Sequence, residues 1–391
     1  MTTLGYHSTF PYVGKLLNTG ISIKMFNPSR LTVARQRRGL TKRQLASQIG
    51  ATEKTVQNYE SGEMNPSEES LERLSSVLGF PLSFFEGDNL EILSPDIASF
   101  RSLKRMKAAQ RDMALSAGSI ALIFSKWIDD NFDLPKPDLP RFEPGIDPEI
   151  AAIALRNEWG LGERGIHNMV HLLEAKGVKV FSLDINAVEV DAFSMWHGDQ
   201  PFVFLNTQKT AEHSRFDAAH ELGHLILHRH GHCQGVDAEK EANDFASSFL
   251  MPRGGILAKA PRFVTIPTLI QIKKEWGVSV AALNYRLHKL ELTSEWVNRS
   301  ICIELSKMGY RKSEPEPIPH ENSQILQKVL TTLRKEGIGR VEISRRLNLH
   351  VSELDKLTFG LSLTDSSTAE NLQGVRPPNS TVKEYGLRLV K

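Results

Sequence analysis

Residues 216–228 read Phe-Asp-Ala-Ala-His-Glu-Leu-Gly-His-Leu-Ile-Leu-His, an apolar stretch without proline that is expected to form one continuous helix. Within it His220 and His224 stand four positions apart, a rotation of roughly 400° at about 100° per residue, so both imidazoles leave one face a turn apart. Two imidazoles so placed can close on one divalent ion, and Glu221 stands beside them as a base for a bound water. The neighbours Ala218, Ala219, Leu222, Leu225, Ile226 and Leu227 imply burial. Two unpartnered histidines would be costly to desolvate there, which weighs against a solvated surface helix. Zn²⁺ is the expected ion, although His/His/carboxylate sets also accept other divalent metals.

A catalytic zinc takes three protein ligands and keeps one position open. One route to the third is a glycine three residues after the second histidine, which turns the chain and returns a further histidine. Leu227 occupies the glycine position, so the helix continues and His230 is expected to face roughly 240° away from His224. The other route is a carboxylate from the next helix, read over Asp237 to Pro252 with Ala242, Phe245, Ala246, Phe249 and Leu250 on one face. Glu241 precedes Ala242 and is the expected ligand. Glu239 is the alternative, and Asn243 or Asp244 would hold an imidazole N–H from outside.

The run Asp191-Ala-Phe-Ser194, Trp196, Phe204-Leu-Asn206, His220 to His228, Glu241-Ala-Asn-Asp-Phe-Ala246 and Leu250-Met-Pro252 resembles the ImmA/IrrE family of metallopeptidases over roughly residues 145–310. The resemblance implies a gluzincin-like site with His220, His224 and Glu241 as ligands and Glu221 as general base. His228, His213 and His197 are candidates for a second oxyanion donor, against their use in surface or helix packing.

A second signal of different kind occupies residues 27–87. A basic segment from Pro28 to Arg38 closes at Gly39, Thr41 caps a helix that stops at Gly50, and Thr52 caps another ending before Gly62. Two short helices about a tight turn, with Leu45, Ala46, Ile49 and Val56 inward, make a helix-turn-helix. The cations Arg35, Arg37, Arg38, Lys42, Arg43 and Lys54 favour DNA over a purely protein-docking bundle. The segment resembles the XRE (Cro-like) domain through Tyr59-Glu-Ser-Gly62, Asn65-Pro-Ser67 and Leu71 to Phe85. That resemblance implies that Thr52, Glu53, Lys54, Thr55 and Asn58 read bases and that Lys42 and Gln44 touch phosphate.

The chain of 391 residues is long enough for two or three domains. A net charge of +2 confines nucleic-acid binding to a local basic patch. Cys233 and Cys302 are the only cysteines, which excludes a disulfide framework and a cysteine zinc cage and agrees with a reducing cytoplasm. No apolar run reaches the ~18 residues of a membrane span.

The expected fold class is mainly α with an α+β zincin-like core, a small sheet packed on the active-site helix, preceded by a five-helix helix-turn-helix domain. Residues 1–24 are expected to be disordered or to precede the true start at Met25. Residues 25–87 form the DNA-binding domain, 88–140 a helical linker with paired helices over 95–131 and a stiff Pro-rich joint at 134–140, and 141–311 the metallopeptidase domain. Strands are expected at 178–183, 192–197 and 201–205, and helices at 148–159, 166–176, 267–275, 279–290 and 294–308. Residues 321–363 form a helical region in which 339–357 repeats the two-helix pattern, read as a structural cap more readily than as a second DNA reader because of Glu353 and Asp355. Residues 364–391 form a disordered tail.

Two functions from different classes follow. One is a zinc endopeptidase that binds double-stranded DNA through residues 25–87, as a possible homodimer, and cleaves a repressor or antitoxin-like protein in stress response or mobile-element control. The other is a non-proteolytic zinc-containing repressor or sensor, with neutralisation of a toxin as a third option. The stretch 191–206 discriminates: an open edge strand leading to the metal favours proteolysis, because an extended peptide can add to it, and a covered one favours sensing.

Overall fold

The computed structural model describes residues 26–100, 107–183, 191–229, 236–310 and 312–361. The expectations for residues 1–24, His230, Cys233 and 364–391 fall outside them.

The amino-terminal unit is built from capped short helices. Helix α1 (Pro28–Arg37) starts with Pro28 in the first turn and the Asn27 side chain accepting from Ser29 N. Helix α2 (Lys42–Ile49) opens on a capping box between Thr41 and Gln44 and ends at Gly50 with φ 70°. Helices α3 (Glu53–Ser61) and α4 (Glu68–Leu78) follow, capped by Thr52 and Ser67. The fifth helix is a single 3-10 turn at Leu82–Phe84. Leu45, Ala46, Ile49 and Val56 face inward as the spacing predicts.

The segment after this unit departs from the expected pair of linker helices. A 3-10 turn (Pro95–Ile97) leads into strand β1 (Ala98–Phe100), and one 24-residue helix α5 (Ala108–Asn131) follows. Helix α5 lies against both the amino-terminal helices and the sheet, and its Ala114, Ile120, Ala121 and Phe124 share one core with Leu31, Ala34 and Phe204. Gly118 permits this approach, since a Cβ there would lie 2.7 Å from Leu93 and 3.3 Å from Phe193. The segment reads as linker because its apolar residues serve two neighbours and give no single stripe.

Helices α6 (Pro148–Glu158) and α7 (Met169–Ala175) precede strands β2 (Lys179–Leu183), β3 (Ala192–His197) and β4 (Gln200–Asn206). The sheet order is β1-β3-β4-β2, with β1–β3 and β3–β4 antiparallel and β4–β2 parallel. Alternation sorts the side chains into two cores. Phe181, Phe193, Phe202 and Phe204 face α5, whereas Val180, Ala192, Val203 and Leu205 face the helices that follow β4.

Those helices are α8 (Ala211–Leu227), α9 (Val236–Leu250), α10 (Arg253–Lys259), α11 (Ile266–Trp276), α12 (Val280–Lys289) and α13 (Glu295–Lys307). Three more, α14 (Gln324–Lys335), α15 (Arg340–Arg346) and α16 (Val351–Leu357), pack on the aromatic side of the sheet and on the amino-terminal unit. Among the described residues no helix is long and apolar enough to cross a membrane.

Candidate metal centre and nucleic-acid interface

Helix α8 starts at Thr210, whose hydroxyl accepts from His213 N, and runs unbroken through the histidine pair. His220 and Glu221 are fully buried and His224 nearly so. Gly223 sets how closely α9 can approach. A Cβ there would lie 3.1 Å from Phe245 and 3.2 Å from the Ala242 Cα, so only a bare backbone lets the two helices meet at this point.

The close crossing brings α9 side chains to the imidazoles. Glu239 Oε1 lies 3.3 Å from His224 Nε2 and Glu239 Oε2 3.7 Å from His220 Nε2. The two Nε2 atoms are 3.0 Å apart. Glu241 does not reach them; its Oε2 is 2.8 Å from His228 Nε2. Helical rotation explains the difference: Glu239 lies between Ala242 and Asn243 on the inward face, and Glu241 is about 200° round from Glu239.

The remaining ring nitrogens are engaged from outside. Asn243 Oδ1 lies 3.1 Å from His220 Nδ1, and the Asn243 amide is itself fixed by donating to the Glu239 carbonyl at 2.8 Å. His224 Nδ1 lies 3.1 Å from His228 Nδ1, which extends the chain to Glu241. Burial pushes the His228 imidazole below its ordinary value despite its bond to Glu241, so it stays neutral near pH 7. With the His228 Nε2–H donating to Glu241, its Nδ1 accepts from the His224 Nδ1–H. That assignment of protons leaves lone pairs on Nε2 of both His220 and His224.

Two lone pairs 3.0 Å apart beside a carboxylate repel unless a proton or a metal ion lies between them. In a tetrahedral site with bonds of 2.0–2.2 Å, ligand atoms sit about 3.4 Å from one another. The separations here, 3.0 Å between the two imidazole nitrogens and 3.3 and 3.7 Å from them to the two Glu239 oxygens, bracket that value. His220, His224 and Glu239 therefore fit a divalent ion in both donor type and spacing.

Strand β3 runs beside α8 and holds the neighbouring carboxylate. Ser194 Oγ donates to Glu221 Oε2 at 2.6 Å, and Trp196 Nε1 donates to the Leu225 carbonyl at 3.2 Å. Two strand residues span nearly the same length as four helical residues, so the strand keeps step with the helix. Ser194 has no distinctive signal in the sequence beyond its place in the Asp191 to Ser194 run. A cleft of about 720 Å³ meets the centre at Glu239 and Asn243 and is lined further by His213, Phe216, Tyr285 and Tyr310. The remaining candidates lie apart from the imidazole cluster: His213 is 3.4 Å from Asp217, His197 pairs with Glu91, and Asp244 pairs with Lys289.

At the other end of the chain, Thr52, Glu53 and Lys54 are exposed at the start of α3, with Thr55 and Asn58 half-buried. Thr52 and Thr55 hydroxyls are 2.8 Å apart, and the Gln44 side chain accepts from Thr41 N within the capping box. Lys42 lies 3.7 Å from Glu60. Several cations that suggested DNA are internal: Arg35 makes a two-pronged pair with Glu60, while Arg37 and Arg38 both bind Glu353. Arg43 and Lys54 remain exposed.

The capped amino-terminal helices and the histidine-bearing helix beneath a small sheet define a class of protein, a DNA-binding helix-turn-helix domain joined to a metallopeptidase-type domain. Within that class, residues 173–288 match the peptidase M78 family, described as the IrrE N-terminal-like domain, and residues 33–85 match the helix-turn-helix family. The matched segments contain the histidine centre and the exposed α3 face, respectively. Comparison with curated proteins returns no match.

Proposed function

We propose that the chain is a cytoplasmic transcriptional regulator whose peptidase-type domain is a zinc-dependent endopeptidase, acting on a repressor or antitoxin-like protein in stress response or mobile-element control. The observation that carries this reading is the convergence of His220 Nε2, His224 Nε2 and the Glu239 carboxylate within 4.8 Å of one another, beside a buried Glu221. When bound there, a divalent ion would supply Lewis acidity to a scissile carbonyl and to an attacking water.

The chain's own residues do the rest. Glu221 takes the proton of the attacking water and delivers it to the leaving amine nitrogen. Ser194 holds the Glu221 carboxylate through Oε2, and Asn243 and His228 fix the two imidazoles. The cleft admits a peptide against Phe216, Tyr285 and Tyr310. Thr52, Glu53, Lys54, Thr55 and Asn58 would face bases, with Lys42 and Gln44 near phosphate.

The test is co-purification with Glu221→Gln. The variant should keep one zinc per chain and retain a protein that the wild type cleaves. Undiminished cleavage by that variant would defeat the reading. The alternative, a zinc-containing sensor without proteolysis, is favoured by one observation, the covering of β3 by β1.

A further inference from the structure

The sheet edge beside Glu221 is taken by the chain itself. Ala98, Ser99 and Phe100 pair antiparallel with Met195, Ser194 and Phe193. Without β1, strand β3 would be the sheet edge. Ser99 stands opposite Ser194, whose hydroxyl reaches Glu221. Directly opposed residues in an antiparallel pair put their side chains on the same face, so Ser99 lies on the α8 side, next to the residue that holds the base.

An extended peptide that adds to a sheet uses the main-chain groups of its edge strand. Along β3 those groups face residues 98–100. The cover is three residues long, and each main-chain hydrogen bond in it adds only modestly to stability, because water replaces it when the pair opens. A peptide forming the same ladder can therefore compete with it. The anchors of the cover lie upstream, on the segment leading from the DNA-binding unit. Leu93 is buried, the Glu91 carbonyl accepts from Ser119 Oγ at 2.7 Å, and the Glu91 carboxylate lies 2.8 Å from His197 Nε2.

We propose that Ala98–Phe100 is an internal occupant of a peptide-binding edge on β3, and that an extended polypeptide segment displaces it to lie beside Glu221. The inference rests on the metallopeptidase reading of the centre, but its test reads binding and needs no cleavage. It also reconciles a covered edge with a proteolytic site, since the cover is exchangeable.

The probe is a fluorescent heptapeptide with the sequence of residues 94–100, followed by anisotropy on the full chain. Ser99→Pro fixes φ near −65°, far from the value of about −140° in an antiparallel strand, and so loosens the cover. It should bind the probe at least tenfold more tightly than wild type. In a background lacking Cys233 and Cys302, the opposed pair Ala98→Cys/Met195→Cys should lose probe binding when oxidised and regain it when reduced. Should Ser99→Pro fail to fold, the oxidised and reduced states of the cysteine pair decide alone. Equal binding by wild type and Ser99→Pro, no binding by any variant, or indifference to oxidation would overturn the proposal. Binding that behaves as expected, together with unchanged partner cleavage in Glu221→Gln, would instead defeat the peptidase reading.

Discussion

Arg37 Nε donates to Glu353 Oε2 at 2.9 Å, and both side chains are almost completely buried. The pair ties the first helix of the DNA-binding unit to the first turn of α16, with Arg38 Nη1 at 2.5 Å on the other carboxylate oxygen. Burial alone would raise the Glu353 carboxyl, but Arg37, Arg38 and Lys356 outweigh it and hold the group at about 2. A depressed value means stabilisation that is complete above the usual 4.5 and is lost as pH falls through about 2. Glu353→Ala, which strands a buried arginine, should cost about 3–5 kcal/mol in urea unfolding at pH 7. A change below 1 kcal/mol would show the contact to be incidental.

Glu174 gives the opposite slope. Its carboxylate accepts from Ser323 Oγ and from the backbone of Gln324 and Ile325 at the start of α14, yet burial pushes it up to about 7. A raised value means stabilisation present below 4.5 and lost as pH rises through about 7. Glu174→Gln keeps an acceptor for the two amides and can donate to Ser323 Oγ. It should therefore fold and remove a pH-dependence of roughly 3 kcal/mol between pH 4.5 and 7, measured by unfolding across that range.

The cations of the amino-terminal unit should separate into two kinds. Arg43→Ala and Lys54→Ala should weaken DNA binding, Lys54→Ala with relaxed sequence preference as expected of a base reader and Arg43→Ala uniformly across sequences with a salt slope lower by about 1. Arg35→Ala should lower thermal stability first, because it leaves the nearly buried Glu60 side chain without its two-pronged partner. Fluorescence anisotropy at several salt concentrations, beside melting curves, distinguishes these behaviours.

Helix spacing should control metal affinity. Gly223→Ala places a methyl 3.1 Å from Phe245, so α9 must shift by a few tenths of an ångström and carry Glu239 and Asn243 with it. Asn243→Ala removes the acceptor at His220 Nδ1. Each should weaken zinc about 10–100-fold in chelator competition, the range for groups that orient metal-binding histidines. Wild-type affinity in both variants would mean that the outer contacts do not position the ligands.

Much of this architecture is legible in local sequence. The caps at Thr41 and Thr52 mark helix starts, and the 220/224 spacing places two imidazoles on one face. What the sequence hides is set by tertiary pairing. Ala98–Phe100 is too short to show a period and becomes a strand only against β3. Arg37 and Arg38 look like surface cations until a carboxylate 316 and 315 residues away meets them. The choice between Glu239 and Glu241 turns on the phase of α9, which a run of small apolar residues defines only loosely.

The most direct test of the metal centre compares those two carboxylates. Zinc content after dialysis against a weak chelator should be one per chain in wild type and near zero in Glu239→Ala. Glu241→Ala should keep stoichiometric zinc with a modest loss of affinity, since it acts only through His228. Zinc retained by Glu239→Ala and lost by Glu241→Ala would contradict the account.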